Sequence, residues 1–170
     1  MRGFTLVLCV LATTAAAQEP APNVRESTRV ESIPTPVPPT LEQKRYLEGL
    51  RTAGRGIAQL KDAVTRVSGA QRDSPRRKQA ARRLGGLCGT ARGFMTSGRA
   101  KMQPTAYQDS TRTKARRLAL QVDSLIRSAP ACEMNATRQP DSTVASLSSR
   151  LRTYEAALKE FRAAVALPNR

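Results

Sequence analysis

Histidine is absent from all 170 residues, and so is tryptophan. Without imidazole there is no ordinary general base near neutral pH, no Ser-His or Cys-His nucleophile pair and no CxxCH haem attachment, and most zinc sites are out of reach. Aromatic residues make up 4% of the chain, too few for a platform on which nucleic-acid bases stack. Carboxylates are scarce as well. The 13 Asp and Glu residues stand against 29 Lys and Arg, and they are scattered rather than paired for acid–base work. No apolar run approaches the ~20 residues of a spanning helix. These absences argue against an enzyme, a metal or cofactor site, sequence-specific nucleic-acid recognition and a transmembrane segment.

What is present begins with MRGFTLVLCVLATTAAAQEP. One arginine, an apolar run from Phe4 to Ala12 and the small triplet Ala15, Ala16, Ala17 follow the order of a secretory signal peptide over residues 1–17, with cleavage before Gln18. Leu8 precedes Cys9 where a lipobox wants a small residue, which argues against lipidation. Export to a bacterial periplasm or to the exterior is therefore expected. Residues 18–40 carry Pro20, Pro22, Pro34, Pro36, Pro38 and Pro39. Proline at this density denies helix and sheet their amide donors, which predicts a disordered tether reaching at most ~70 Å.

From Leu41 the apolar residues recur at the three- and four-residue spacing of helices with one buried face. Four segments result, over residues 41–69, 75–102, 105–128 and 142–166. Thr40 and Gln43 form a capping-box pattern ahead of the first, and Ser74-Pro75 places a cap and an N1 proline ahead of the second. Pro104 precedes the third, Asp141 or Ser142 is the expected cap of the fourth, and Pro168 its end. Short connections force neighbours to run antiparallel. The domain, residues 41–168, reads as an all-α, up-down-up-down four-helix bundle, with a three-helix bundle and one helix docked elsewhere as the alternative.

The stretch RRLGGLCGTARGF, residues 82–94, spaces Gly85, Gly89 and Gly93 four apart around Cys88. It lacks the Lys-Ser or Lys-Thr pair of a phosphate loop and does not follow a strand pattern. Each glycine costs a helix about 1 kcal/mol relative to alanine. The expected compensation is backbone approach by the first helix, which offers Gly49, Ala53, Gly54 and Gly56. The rival reading ends a short helix at Gly85-Gly86. Cys88 and Cys132 are the two cysteines left after signal cleavage, and in an exported chain they are expected to form a disulfide, the alternative being a free reactive thiol. With a third helix ending near Arg127, that bridge requires the chain to double back sharply at Ala129-Pro130.

The formal net charge is +16, and of the basic residues only Arg2 lies in the signal segment. Such a field favours anionic partners and opposes self-association. The densest run, Arg72, Arg76, Arg77, Lys78, Arg82 and Arg83, interrupted by Asp73, lies at the start of the second helix, where positive charge opposes the helix dipole. In a hairpin turning near Gln103, Arg92, Arg99, Arg112 and Arg116 would line one groove. Arg76, Arg77, Lys78, Arg82 and Arg83 together with those four are the candidate anion-binding set, with arginine forks matched to phosphate or carboxylate, the alternative being a merely solvated surface. The resulting expectation is an exported, non-enzymatic bundle facing an anionic envelope polymer or acidic protein. A periplasmic chaperone-like binder of unfolded clients is the alternative.

Overall fold

The four apolar seams close as four helices: α1 (Leu41–Ser68), α2 (Pro75–Lys101), α3 (Asp109–Asn135) and α4 (Pro140–Ala164), with one 3-10 turn at Pro104–Ala106 before α3. This computed structural model describes residues 38–166. The expected signal peptide, residues 18–37 of the expected tether, and Pro168 lie outside the described residues. Each helix packs against the next in sequence, and α4 returns to α1. The result is the up-down-up-down bundle, with no strand among the described residues.

Local chemistry sets the helix starts. The Thr40 hydroxyl accepts from the Gln43 amide at 3.2 Å while the Gln43 side chain accepts from the Thr40 amide at 2.9 Å, a complete capping box. Ser74 accepts from the Arg77 amide, with Pro75 at the first helical position. The start of α4 corrects the expectation of an Asp141 or Ser142 cap. Pro140 occupies the first turn, Gln139 is the cap residue without a side-chain bond, and the Asp141 carboxylate turns instead to Arg77.

α2 is continuous through Gly85-Gly86, so the helix does not break there. Nor do its glycines form one stripe against α1. Four residues advance a helix by about 400°, so a four-residue repeat drifts ~40° per step. A Cβ on Gly85 would meet α3, 3.3 Å from the Glu133 carbonyl; one on Gly89 would meet the Glu133 carboxylate at 3.5 Å; one on Gly93 would meet nothing. The close approach of α1 to α2 does use the expected Gly49, Ala53 and Gly56, with nothing near Gly54, but on α2 it runs through Ala91 and Gly98. A Cβ on Gly49 would lie 2.5 Å from the Gly98 carbonyl oxygen, and one on Gly56 would lie 2.6 Å from that of Ala91. Gly49, Gly56 and Gly98 thus permit backbone-to-backbone packing that a methyl group would prevent.

α3 departs most from expectation: it runs from Asp109 to Asn135, straight through Pro130, rather than over 105–128. Proline inside a helix removes one hydrogen bond and costs about 3 kcal/mol. The residues around and beyond it offset that cost, because Ala129, Cys132 and Ala136 are buried and Ala136 packs beside Gly85. Cys88 is bonded to Cys132 with a Cα separation of 6.1 Å. Farther along the same seam, Arg99 meets Asp123 at 3.0 Å. Extending that register, the first turns of α3 project roughly 15 Å past the end of α2 at 1.5 Å per residue. The chain covers this distance through residues 102–108, which ~3.3 Å per extended residue allows. The length mismatch is absorbed at the start of α3, so no sharp reversal at Ala129-Pro130 occurs.

The projecting turns are not left bare. Tyr46 of α1, Tyr107 of the connection and Phe161 of α4 form a three-ring cluster with centroids 5.2 to 5.3 Å apart. The Tyr46 hydroxyl donates to the Ala115 carbonyl of α3 at 2.8 Å. Tyr107 meets both other rings edge-on, contacts that add about 0.5–1.5 kcal/mol each beyond area burial, and the cluster joins α1, α3, α4 and the connection at one end.

Candidate anion-binding surface

The first turns of α2 carry the densest cationic surface. Arg77 is the exception within it: its side chain is only 13% exposed and is bound to Asp141 at the start of α4, whose other carboxylate oxygen lies 3.9 Å from Arg72. Arg77 therefore ties two helix starts together. Arg76, Lys78, Arg82 and Arg83 are exposed, and none has a carboxylate partner among the described residues. Two hollows flank this stretch. One, of about 340 Å³, is bordered by Lys78 and Arg82 together with the acids Asp73 and Asp141; the other, of about 460 Å³, by Arg76 and Arg83.

The expected second groove does not assemble. Arg99 is half-buried, its Nε on Asp123 and its Nη1 donating to the Met102 carbonyl at 3.2 Å. Arg112 donates from Nε to the Tyr107 carbonyl at 3.2 Å and so secures the connection. Arg92 and Arg116 are exposed. The register set by Cys88–Cys132 places Arg92 roughly 25 Å along the bundle axis from Arg112. The physical cause is the projection of α3: a hairpin turning at Gln103 would have aligned them, and the longer connection does not.

Five of the ten carboxylates among the described residues pair across helix seams, and Asp62 pairs with Arg66 within α1. Glu48 accepts from Lys101 between α1 and α2 at 2.5 Å, and Asp123 serves α2–α3. Asp141 serves α2–α4, Glu155 accepts from Lys61 between α1 and α4 at 2.5 Å, and Glu160 accepts from Arg117 between α3 and α4 at 2.8 Å. The Lys101 hydrogen bond and charge hold the Glu48 carboxyl below its usual range. The exposed pairs among these, Arg99–Asp123 apart, contribute only about 0–1 kcal/mol each. Their placement matters more: these five acids mark the correct neighbour on each seam, and most cations among the described residues have no salt-bridge partner.

Cys88 and Cys132 are both buried and bonded, which replaces the free-thiol alternative. Two cations that the sequence runs did not single out, Arg127 and Arg150, line a common groove between α3 and α4. They lie far apart in sequence, and only the α3–α4 register brings them together. The four-residue spacing of Ser142, Ser146 and Arg150 along α4 was the available signal. No protein family, no characterised protein and no solved structure matches the chain.

Proposed function

We propose that the protein is an exported, non-enzymatic helical bundle on a proline-rich tether, presenting an arginine-rich surface to an anionic polymer or acidic protein of the cell envelope. One observation carries this reading. Glu48, Asp123, Asp141, Glu155 and Glu160 are engaged between helices, while Arg76, Lys78, Arg82 and Arg83 face solvent without salt-bridge partners among the described residues, Asp73 being the one other acid beside them. A surface built only for solubility gains nothing from gathering like charges at a helix start, where they oppose the dipole. An anion there relieves the mutual repulsion.

Long-chain polyphosphate binding, followed by fluorescence anisotropy across a salt series, tests it. Affinity is expected to fall steeply between about 50 and 200 mM salt, as counterion release requires. Replacing Arg76, Lys78, Arg82 and Arg83 together by Gln is expected to weaken binding about tenfold or more and to flatten the salt slope. Salt-insensitive binding, or binding indifferent to the fourfold variant, overturns the proposal. Suppression of client aggregation with little salt dependence would support the chaperone-like alternative instead.

A further inference from the structure

We infer a second site of a different kind, a groove at the α3–α4 seam that takes a small hydroxylated anion: a sugar unit bearing phosphate or carboxylate. It does not depend on the α2 surface. The groove holds about 440 Å³, within the roughly 300–1,000 Å³ range of small-molecule sites.

Its composition follows from the helix faces. α3 contributes Arg127, Ser128 and Asn135, while α4 contributes Ser142, Ser146 and Arg150. The buried Leu147 closes the floor of the groove and belongs to the core. Both arginines are exposed and open into the same space. Arg150 donates from Nη1 to the Ser124 hydroxyl at 2.6 Å, one turn from Arg127 along α3. Neither arginine has a carboxylate partner among the described residues.

The acids of the two helices point elsewhere. Asp123 is held by Arg99, Asp141 by Arg77, Glu155 by Lys61 and Glu160 by Arg117. Glu133 lies against Gly89 on the α2 side, and Asp109 borders the opposite end of the bundle. Two guanidiniums therefore share a recess without a negative charge of the protein's own, and their planar forks suit phosphate or carboxylate oxygens.

Hydroxyl recognition comes from the walls. Ser128 donates to the Leu125 carbonyl at 2.8 Å and Ser142 to the Gln139 carbonyl at 3.2 Å. Their oxygens thus remain available as acceptors for ligand hydroxyls. Ser146 and Asn135 make no side-chain hydrogen bond among the described residues, leaving a hydroxyl and an amide free to donate or accept. A bare inorganic anion would use the arginines alone, and a neutral sugar would use only the walls. The combination selects a ligand that has both.

Calorimetric titration of the disulfide-bonded full chain with glucose 6-phosphate, glucuronate, glucose and inorganic phosphate tests this inference. Either glucose 6-phosphate or glucuronate is expected to bind saturably at one site, at least tenfold more tightly than glucose or phosphate. The tighter of the two identifies the acid group. Arg127→Gln and Arg150→Gln are each expected to weaken that binding about tenfold, and Ser146→Phe to abolish it by filling the groove without changing charge. The fourfold α2 variant should leave it unchanged. Circular dichroism confirms that each variant keeps its helices. If neither sugar acid outbinds glucose and phosphate, or if binding survives both the arginine and the Ser146 substitutions, the inference fails. Polyphosphate binding by the α2 surface can persist in either case, so the two sites are judged separately.

Discussion

The hydroxyl of Tyr46 on α1 donates to the main-chain carbonyl of Ala115 on α3, 2.8 Å away and fully enclosed. The bond joins two helices that are not sequence neighbours at the end where α3 projects beyond α2. Removing only the oxygen, in Tyr46→Phe, is expected to cost about 1 kcal/mol, the net value of a neutral buried hydrogen bond. Removing the ring, in Tyr46→Ala, is expected to cost about 3–5 kcal/mol because the contacts to Tyr107 and Phe161 go with it. Urea midpoints at constant m-value measure both.

The same burial makes stability fall in alkali. Desolvation raises the Tyr46 phenol well above its ordinary range and pushes Tyr154 up to about 12. A phenol raised in the folded state stays protonated there while its unfolded counterpart ionises from about pH 10 upward. The stabilising difference is therefore intact below pH 10 and lost as pH rises toward 12. The loss is about 1.4 kcal/mol per pH unit for each such tyrosine. Urea unfolding at successive pH values should show this slope, and Tyr154→Phe should reduce it by one tyrosine's share.

Glycine substitutions should divide by sign. Gly86 and Gly93 sit on open helix surface where an added Cβ meets nothing. Gly86→Ala and Gly93→Ala are each expected to stabilise the protein by about 1 kcal/mol through helix propensity. Gly56→Ala drives a methyl group to 2.6 Å from the Ala91 carbonyl. It is expected to destabilise by about 1–3 kcal/mol despite the same propensity gain. Thermal melts of the three single variants decide the matter.

The four seams were legible because spacing alone places Leu50, Ile57, Leu60 and Val64 on one face of α1, and Leu118, Val122 and Leu125 on one face of α3. Thr40, Gln43, Ser74 and Pro75 announce two helix starts by local chemistry. The extent of α3 was not legible. Pro130 is a local stop signal, and what overrules it is tertiary: Ala136 against Gly85, and Cys132 bonded to Cys88. That one extension moves the α2–α3 register and disperses Arg92, Arg99, Arg112 and Arg116. The α3–α4 groove was hidden for the same reason, since Arg127 and Arg150 become neighbours only once both helices are aligned.

The Cys88–Cys132 bridge spans a sequence separation of 44, and in the chain-entropy account a closed loop of that size contributes about 4 kcal/mol by restricting the unfolded chain. Replacing both cysteines by alanine is therefore expected to lower the unfolding free energy by about that amount. The helical circular dichroism should be unchanged, because the buried seam around Ala129 and Ala136 remains. Comparing oxidised and reduced wild-type protein in urea gives the same difference without mutation.

Arg99 and Asp123 are the ion pair most removed from water, with side chains 28% and 26% exposed, whereas those of Lys61 and Glu155 are 61% and 45% exposed. Solvent screens the second pair and only partly the first. Asp123→Asn leaves the half-desolvated Arg99 guanidinium with neutral acceptors alone, the new amide oxygen and the Met102 carbonyl, and is expected to cost about 1–2 kcal/mol. Glu155→Gln is expected to change stability by less than about 0.5 kcal/mol. A double-mutant cycle on each pair, repeated in about 1 M salt, separates the two. The Arg99–Asp123 coupling should largely persist and the Lys61–Glu155 coupling should vanish, because at that ionic strength the screening length falls to about 3 Å. Equal loss of both would mean that the α2–α3 seam is open to solvent at Asp123.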